Sequence, residues 1–344
     1  MMQTIRQFYR TGIYTILHFV VDGICAALVF SKLYTEDYTT CLVVFLLYNL
    51  FAFVSQPFVG IAMDHFPKPK IFLLISIVML SLGYAFSFQY VLGSLFLGIG
   101  NSFFHVCGGK DISCTMKNDI VSLGVFVSTG AIGLMLGQRY YSSWLLFAFF
   151  GVLFLGSGGL LFTKNPVHFS SKEKRAEPVY SLGPLILGLL VVVVLIRSFV
   201  GKIIVLDFET AEWVFVCIAV GTALGKMLGG VVAKYIGVKK TMILSMVFST
   251  IFLCLWNTNP YTLCLGIVFF NFSMPITLYY ANCLSKGQEG FAFGLLAAAL
   301  IPGYALGMLG FVSMVARILI ACLSFISAMI ICGINYRVNQ DGIV

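Results

Sequence analysis

Apolar runs of about twenty residues, separated by short polar stretches, recur along the whole chain. A helix that crosses a bilayer needs about 20 mostly apolar residues. Twelve intervals meet that pattern: 11–33, 38–62, 70–88, 89–108, 119–138, 142–163, 182–201, 211–233, 240–257, 261–283, 289–311 and 313–335. They predict an all-α polytopic membrane protein. Most connections are only a few residues long. The longest polar stretch, 164–181, carries Lys172, Lys174 and Arg175. It reads as a cytoplasmic linker between an N-terminal six-helix bundle, 1–163, and a C-terminal one, 182–344.

A shift of 170 residues brings Gly60 onto Gly230, Lys70 onto Lys240 and Asn101 onto Asn271. The same shift superimposes Gly124, Gly133 and Gly137 on Gly294, Gly303 and Gly307. Matches at one offset, spread over three segments, favour duplication. Six helices separate the copies, and an even number preserves orientation. The expected architecture is two parallel six-helix repeats about an axis along the membrane normal.

Composition agrees with the pattern. Of 344 residues, 60% are hydrophobic and 10% charged, and the mean hydropathy is +1.01. A soluble chain of this length needs far more polar surface. The net charge of +8 is spread over short loops, which argues for membrane topology and against nucleic acid as a partner. With the loops numbered alternately, fifteen Lys and Arg residues fall on one side and three, Lys32, Arg139 and Lys202, on the other. The richer side is expected to be cytoplasmic, which puts both termini in the cytoplasm of a plasma membrane, and the compact loops suit a bacterial one. The first apolar segment reads as a retained helix with no cleavable signal. Of the ten Cys, most lie in apolar runs without a CxxC pair. They are expected to act as small hydrophobes, and neither a disulfide framework nor a zinc site is expected.

The segment Gly60-Ile-Ala-Met-Asp64-His-Phe-Pro67-Lys68-Pro-Lys70 resembles the G-x-x-x-D-[RK]-x-G-x-[RK]-[RK] signature of the major facilitator superfamily. Its counterpart reads Gly230-Val-Val-Ala-Lys234-Tyr-Ile-Gly237-Val-Lys239-Lys240. Pro67 replaces the usual Gly in the first copy, and Lys234 the usual Asp in the second. The resemblance implies a gating role for this loop, with Gly60, Asp64, Lys70, Lys226 and Gly230 as its candidate residues. His18-Phe-Val-Val-Asp22 and Gly98-Ile-Gly100-Asn101-Ser-Phe-Phe-His105 further resemble the fosmidomycin-resistance branch.

Ionisable side chains are expensive in the bilayer and usually face a cavity or a partner. His18 and Asp22 are four apart on one helix face. His105 lies on an oppositely directed helix at a depth matching His18, by a rise of about 1.5 Å per residue. A carboxylate beside imidazoles is a candidate proton-binding group. Helix–helix hydrogen bonding is the plainer reading of the same residues. Asn101 and Asn271 are a repeat-matched polar pair at mid-membrane, and Pro275 is expected to kink the helix after Asn271. Arg197 either reaches to the interface or faces the cavity and attracts an anion. A metal ion among His18, Asp22, His105 and Cys107 is disfavoured, because Cys107 lies two residues from His105 and points elsewhere. No cofactor is expected, and no nucleophile–base motif suggests an enzyme.

These features together predict a monomeric, proton-coupled secondary transporter. Its partners would be protons, membrane lipid and a small organic anion or zwitterion, moved by alternating access. A multidrug exporter with an apolar cavity is one alternative. A receptor or assembly protein on the same fold, without transport, is another.

Overall fold

The computed structural model describes residues 2–30, 37–163, 183–207, 212–255, 260–309 and 313–340. The expected linker 164–181 lies outside them. The first part of the chain forms α1 (Met2–Val29), α2 (Tyr38–Asn49), a π-helical turn (Leu50–Val54), α3 (Gln56–His65), α4 (Pro69–Ala85), α5 (Tyr90–Thr115), α6 (Ile120–Ser128), α7 (Gly130–Arg139) and α8 (Ser143–Phe162). Then follow α9 (Gly183–Asp207), α10 (Glu212–Ile236), α11 (Val238–Cys254), α12 (Pro260–Phe270), α13 (Ser273–Leu284), α14 (Glu289–Ala298), α15 (Leu300–Gly307) and α16 (Ser313–Gln340). Among the described residues there is no strand.

Nine helical stretches there are long and apolar enough to cross a bilayer, several of them made of two consecutive helices, as in Tyr38–His65 and Ile120–Arg139. The segments Pro69–Ala85 and Cys322–Arg337 are shorter apolar helices. Large apolar side chains such as Phe58, Phe147, Leu155 and Phe162 are exposed. In water such a surface is an aggregation liability. Against lipid it is the ordinary exterior.

Three helix breaks have a proline cause. Proline lacks an N–H, and its ring clashes with the carbonyl four residues back. Pro275 points that clash at Asn271, in the gap between α12 and α13. Pro302 does the same at Ala298, the last residue of α14, and Pro57 at Phe53, inside the π-helical turn. The break between α6 and α7 has no proline. There Ser128 Oγ donates to its own turn at Val125 O (2.7 Å), and Thr129 Oγ1 donates to Thr15 O on α1 (2.6 Å). Such back-bonding competes with the helix ladder.

The chain divides into two compact units. One comprises residues 1–118, 129–175 and 287–298; the other comprises 119–128, 176–286 and 299–344. The boundaries at Thr129 and Ala299, which fall at the α6/α7 and α14/α15 breaks, are 170 residues apart. Close approaches keep the same spacing. In the first unit Gly60 abuts Gly290 O and Gly294 abuts Gln56 O; in the second, Gly230 abuts Ile120 O and Gly124 abuts Lys226 O. Every residue in one pair of contacts has its counterpart 170 positions away in the other pair. Gly133 and Gly137 of α7 lie against Phe19 and Gly23 of α1, as Gly303 and Gly307 of α15 lie against Leu195 and Phe199 of α9. Small residues four apart let helix backbones approach this closely.

Several expectations are corrected. α1 begins at Met2 and α5 continues to Thr115, so Arg10, Lys110 and Lys202, read as loop charges, are helical and buried. Arg10 pairs with Asp111. Lys202 sits over the Tyr304 ring, 5.0 Å from its centroid. Cys217 and Cys264, expected as free thiols, are joined as a disulfide between α10 and α12.

Candidate functional site

In the first unit, α1 and α5 bring His18, Asp22, Asn101 and His105 together. Asp22 lies 3.3 Å from His18 Nε2 through Oδ2 and 3.5 Å from His105 Nε2 through Oδ1. Asn101 Nδ2 donates to Asp22 Oδ1 at 3.2 Å. The two imidazoles meet edge to face, with their Nε2 atoms 2.9 Å apart.

This network fixes a proton arrangement. His105 Nδ1 faces Asn101 O at 3.0 Å. A carbonyl only accepts, so Nδ1 carries the proton and Nε2 of neutral His105 offers a lone pair. His18 Nε2–H must then donate, and it is shared between His105 and Asp22. Both tautomers are thus assigned from the hydrogen-bond network. In that state the carboxylate is an ion with one full donor and one shared one.

Gly130, the first residue of α7, closes over the cluster. A Cβ there would strike Asp22 Oδ2 and His18 Nε2. His18, Asp22 and His105 also bring three metal-capable donor atoms within 4.8 Å of one another. Cys107 is not among them. Its sulfur lies 3.6 Å from Tyr14 Oη, as its place on the helix predicts.

In the second unit, a cavity of about 230 Å³ is lined by Arg197, Lys226 and Asn271, with Ser198, Thr222 and apolar neighbours. Arg197 is buried rather than interfacial, and its Nη1 donates to Thr277 Oγ1 over a long 3.5 Å. Asn271 Nδ2 donates to Ile267 O at 2.9 Å, at the proline-induced break. Sequence position ties Lys226 to the gating loop alone, but the fold also gives it a place in this cavity. No carboxylate lines the cavity among the described residues.

The signature loop's Asp64, at the end of α3, caps α14. Its oxygens accept from Gly290 N (3.0 Å) and Phe291 N (2.8 Å), where the helix dipole favours negative charge. Lys110 of α5 pairs with Asp64 at 2.6 Å, and both side chains are buried. In the second copy the signs are exchanged. Lys234 pairs with Asp119 at 3.0 Å. Asp119 in turn accepts from Ser122 N and Oγ at the start of α6, at 3.0 and 2.8 Å. Burial alone would raise the Asp119 carboxyl, but the Lys234 and Ser122 hydrogen bonds outweigh it and hold the group below the usual carboxylate range. Lys70 stands in the first turn of α4, outside both contacts.

The Pro67 substitution has a local consequence. Its counterpart, Gly237, starts α11 at φ +86°, in a region closed to proline. The first copy turns instead through Phe66 (φ −119°, ψ 76°) and Lys68 (φ −116°, ψ 75°) before Pro69 opens α4.

The sequence signalled His18, Asp22 and His105 through helical spacing and depth, and Asn101 through the repeat. It missed Gly130, Lys110, Asp111 and Asp119. Lys110 and Asp111 are adjacent opposite charges at the end of an apolar run, a pattern that reads as a loop unless each finds a partner in the interior. Asp111 takes Arg10, and Lys110 takes Asp64.

The helical architecture is like that of solved membrane transporters. No family model matches the sequence, and no curated protein does. A crystal structure of the E. coli fucose:proton symporter FucP, in a variant form, superimposes with a TM-score of 0.73 at 11% identity, covering 96% of this chain and 98% of that one. A second, of the Major Facilitator Superfamily transporter FucP in the outward conformation, gives a TM-score of 0.71 at 13% identity, covering 93% and 97%. At such identity the likeness is one of fold.

Proposed function

We propose that the chain is a proton-coupled secondary transporter of the major facilitator type, moving a small organic anion or zwitterion across the plasma membrane by alternating access. In this reading the chain crosses the bilayer twelve times as two parallel halves, 1–163 and 182–344, with both termini cytoplasmic. The carrying observation is the Asp22 carboxylate, hydrogen-bonded by His18 and Asn101 and facing His105 within a major-facilitator fold. A carboxylate held beside two imidazoles forms a cluster among whose members a proton can be shared.

Arg197 and Lys226, facing one cavity without a carboxylate, support an anionic group on the substrate. Asn271 supplies a polar contact at the same cavity. Asp64 and Gly60 with the start of α14, and Lys234 and Gly230 with Asp119 and the start of α6, would be the paired contacts that break and re-form as the carrier alternates. Lys70 would bear on the same gate through the turn it shares with Pro67. The resemblance of the His18–Asp22 and Gly98–His105 segments to the fosmidomycin-resistance branch leans this reading toward export.

The cavity volume counts against a multidrug exporter, because drug-sized sites run to about 300–1,000 Å³. The structural neighbour FucP carries a sugar, fucose, together with protons. In this chain both Arg197 and Lys226 line the large cavity, and a neutral sugar offers them no opposite charge, so the anion is preferred.

The test is flux into proteoliposomes under an imposed pH gradient, with labelled monocarboxylates, amino acids and L-fucose side by side. Movement of one or more charged compounds, lost in Arg197→Gln, is expected. Flux of fucose that survives Arg197→Gln would overturn the anion assignment. Binding of a compound with no flux would favour the receptor alternative.

A further inference from the structure

Arg197 borders a second cavity. Its side chain also lines a space of about 20 Å³, bordered by Ser245 and Ser249 of α11, Ser273 of α13, and Ser324 and Ser327 of α16. All five serines are buried. Three of their hydroxyls donate to backbone carbonyls: Ser245 to Phe269 O at 2.7 Å, Ser249 to Met246 O at 3.3 Å and Ser273 to Phe270 O at 3.2 Å. The last two bonds are long for an O–H donor. Ser324 Oγ is buried with no hydrogen-bond partner among the described residues.

A guanidinium is a planar fork with five N–H donors. Only one Arg197 contact is formed, the long bond to Thr277, and no ion pair reaches it among the described residues. Its burial leaves a full positive charge in an apolar unit. Such a charge is normally paired. About 10–15 Å³ admits one water-sized sphere, so a 20 Å³ space takes a single small occupant and is too small for a carboxylate.

A water would satisfy hydrogen bonds but leave the charge standing. A monatomic anion would do both, taking N–H from Arg197 and O–H from Ser324, with Ser249 and Ser273 free to turn from their long bonds. We propose that this serine-lined cavity is a chloride site, and that chloride is the counter-ion to Arg197. The site goes beyond the transport reading and does not depend on it. The large cavity takes an organic anion, whereas the chloride sits in the small one.

The test is equilibrium binding of radioactive chloride to the purified full chain, with gluconate as the replacement anion. Saturable binding approaching one chloride per chain, displaced by bromide, is expected. Ser324→Leu, which fills the cavity and leaves Arg197 in place, should weaken binding at least tenfold. Ser327→Ala, a gentler change, should weaken it severalfold and serves if the leucine variant does not fold. Absence of saturable chloride binding in the unaltered protein, the outcome for a water-filled cavity, overturns the proposal. So does either variant binding chloride as the unaltered protein does. Chloride binding without organic-anion flux would leave this site standing and remove the transport reading alone.

Discussion

In the proposed reading the chemistry at Asp22 turns on a single proton. The carboxylate receives Asn101 in full and His18 in part, its side chain stays 18% exposed, and no arginine pairs with it among the described residues. Asp22→Asn keeps the size and much of the hydrogen bonding but removes the titrating group. Substrate binding should persist within about threefold, while pH-driven accumulation falls at least about tenfold, equivalent to about 1.4 kcal/mol of lost coupling. Gly130 supplies a second test. Any side chain there meets Asp22 and His18, and overpacking costs about 1–3 kcal/mol. Gly130→Val should lower the thermal midpoint and abolish coupling, whereas Gly151→Val, where nothing lies within 4 Å, should do neither. The cluster was legible because His18 and Asp22 share a helix face and Asn101 has a repeat partner. Gly130 was not legible, since its demand comes from a helix 108 residues away in sequence and from no local pattern.

Among the elements, helix ends carry the interest. Asp64 bridges α3, α5 and the first turn of α14. Removing one partner of a buried ion pair costs about 3–5 kcal/mol. Asp64→Ala should therefore destabilise the protein by an amount of that order in thermal or denaturant unfolding. Lys110→Met in the same background should restore part of it by removing the stranded charge. The Lys234–Asp119 contact is more exposed and contributes little as a charge pair. Because the Asp119 carboxyl is held below its usual range, its contribution is present above the unfolded pKa of about 3.9 and is lost as pH falls through the depressed folded value. Acidification below about pH 4 should remove that contribution, whereas changes between about pH 5 and 8 should leave it untouched. Asp119→Asn should flatten the acid limb of a stability–pH curve. The break at Pro275 could be read from sequence, whereas those at Pro57 and Pro302, which act four residues upstream by the same rule, lay in segments that read as continuous. The true ends of α1 and α5 could not be read from sequence either. Hydropathy treats Arg10, Lys110 and Asp111 as water-seeking, and only the fold supplies the partners that keep them inside.

Across the whole molecule, the glycine matches at one offset proved to be contact points. Gly60, Gly124, Gly230 and Gly294 each stand where a neighbouring helix backbone passes too close for a side chain. That is why a sparse set of residues carried the repeat while the rest of the sequence drifted. The chemistry of the two units is unlike. One holds a carboxylate with two imidazoles, and the other a guanidinium and an ammonium around a cavity. The repeat offset could not reveal this division, because it aligns positions that duplication preserved, such as Asn101 and Asn271, whereas the charged candidates are at positions that diverged. Neither Asp22 nor Arg197 has a matching charge in the other copy.

The most direct measurement is proton movement across a sealed membrane. Proteoliposomes holding the purified chain and a trapped pH-sensitive dye, exposed to the charged compound that gives the largest flux, should change lumenal pH on its addition. The change should vanish in Asp22→Asn while binding of that compound remains. A pH response of equal size in Asp22→Asn, or transport of the compound with no proton movement in the unaltered protein, would contradict the account.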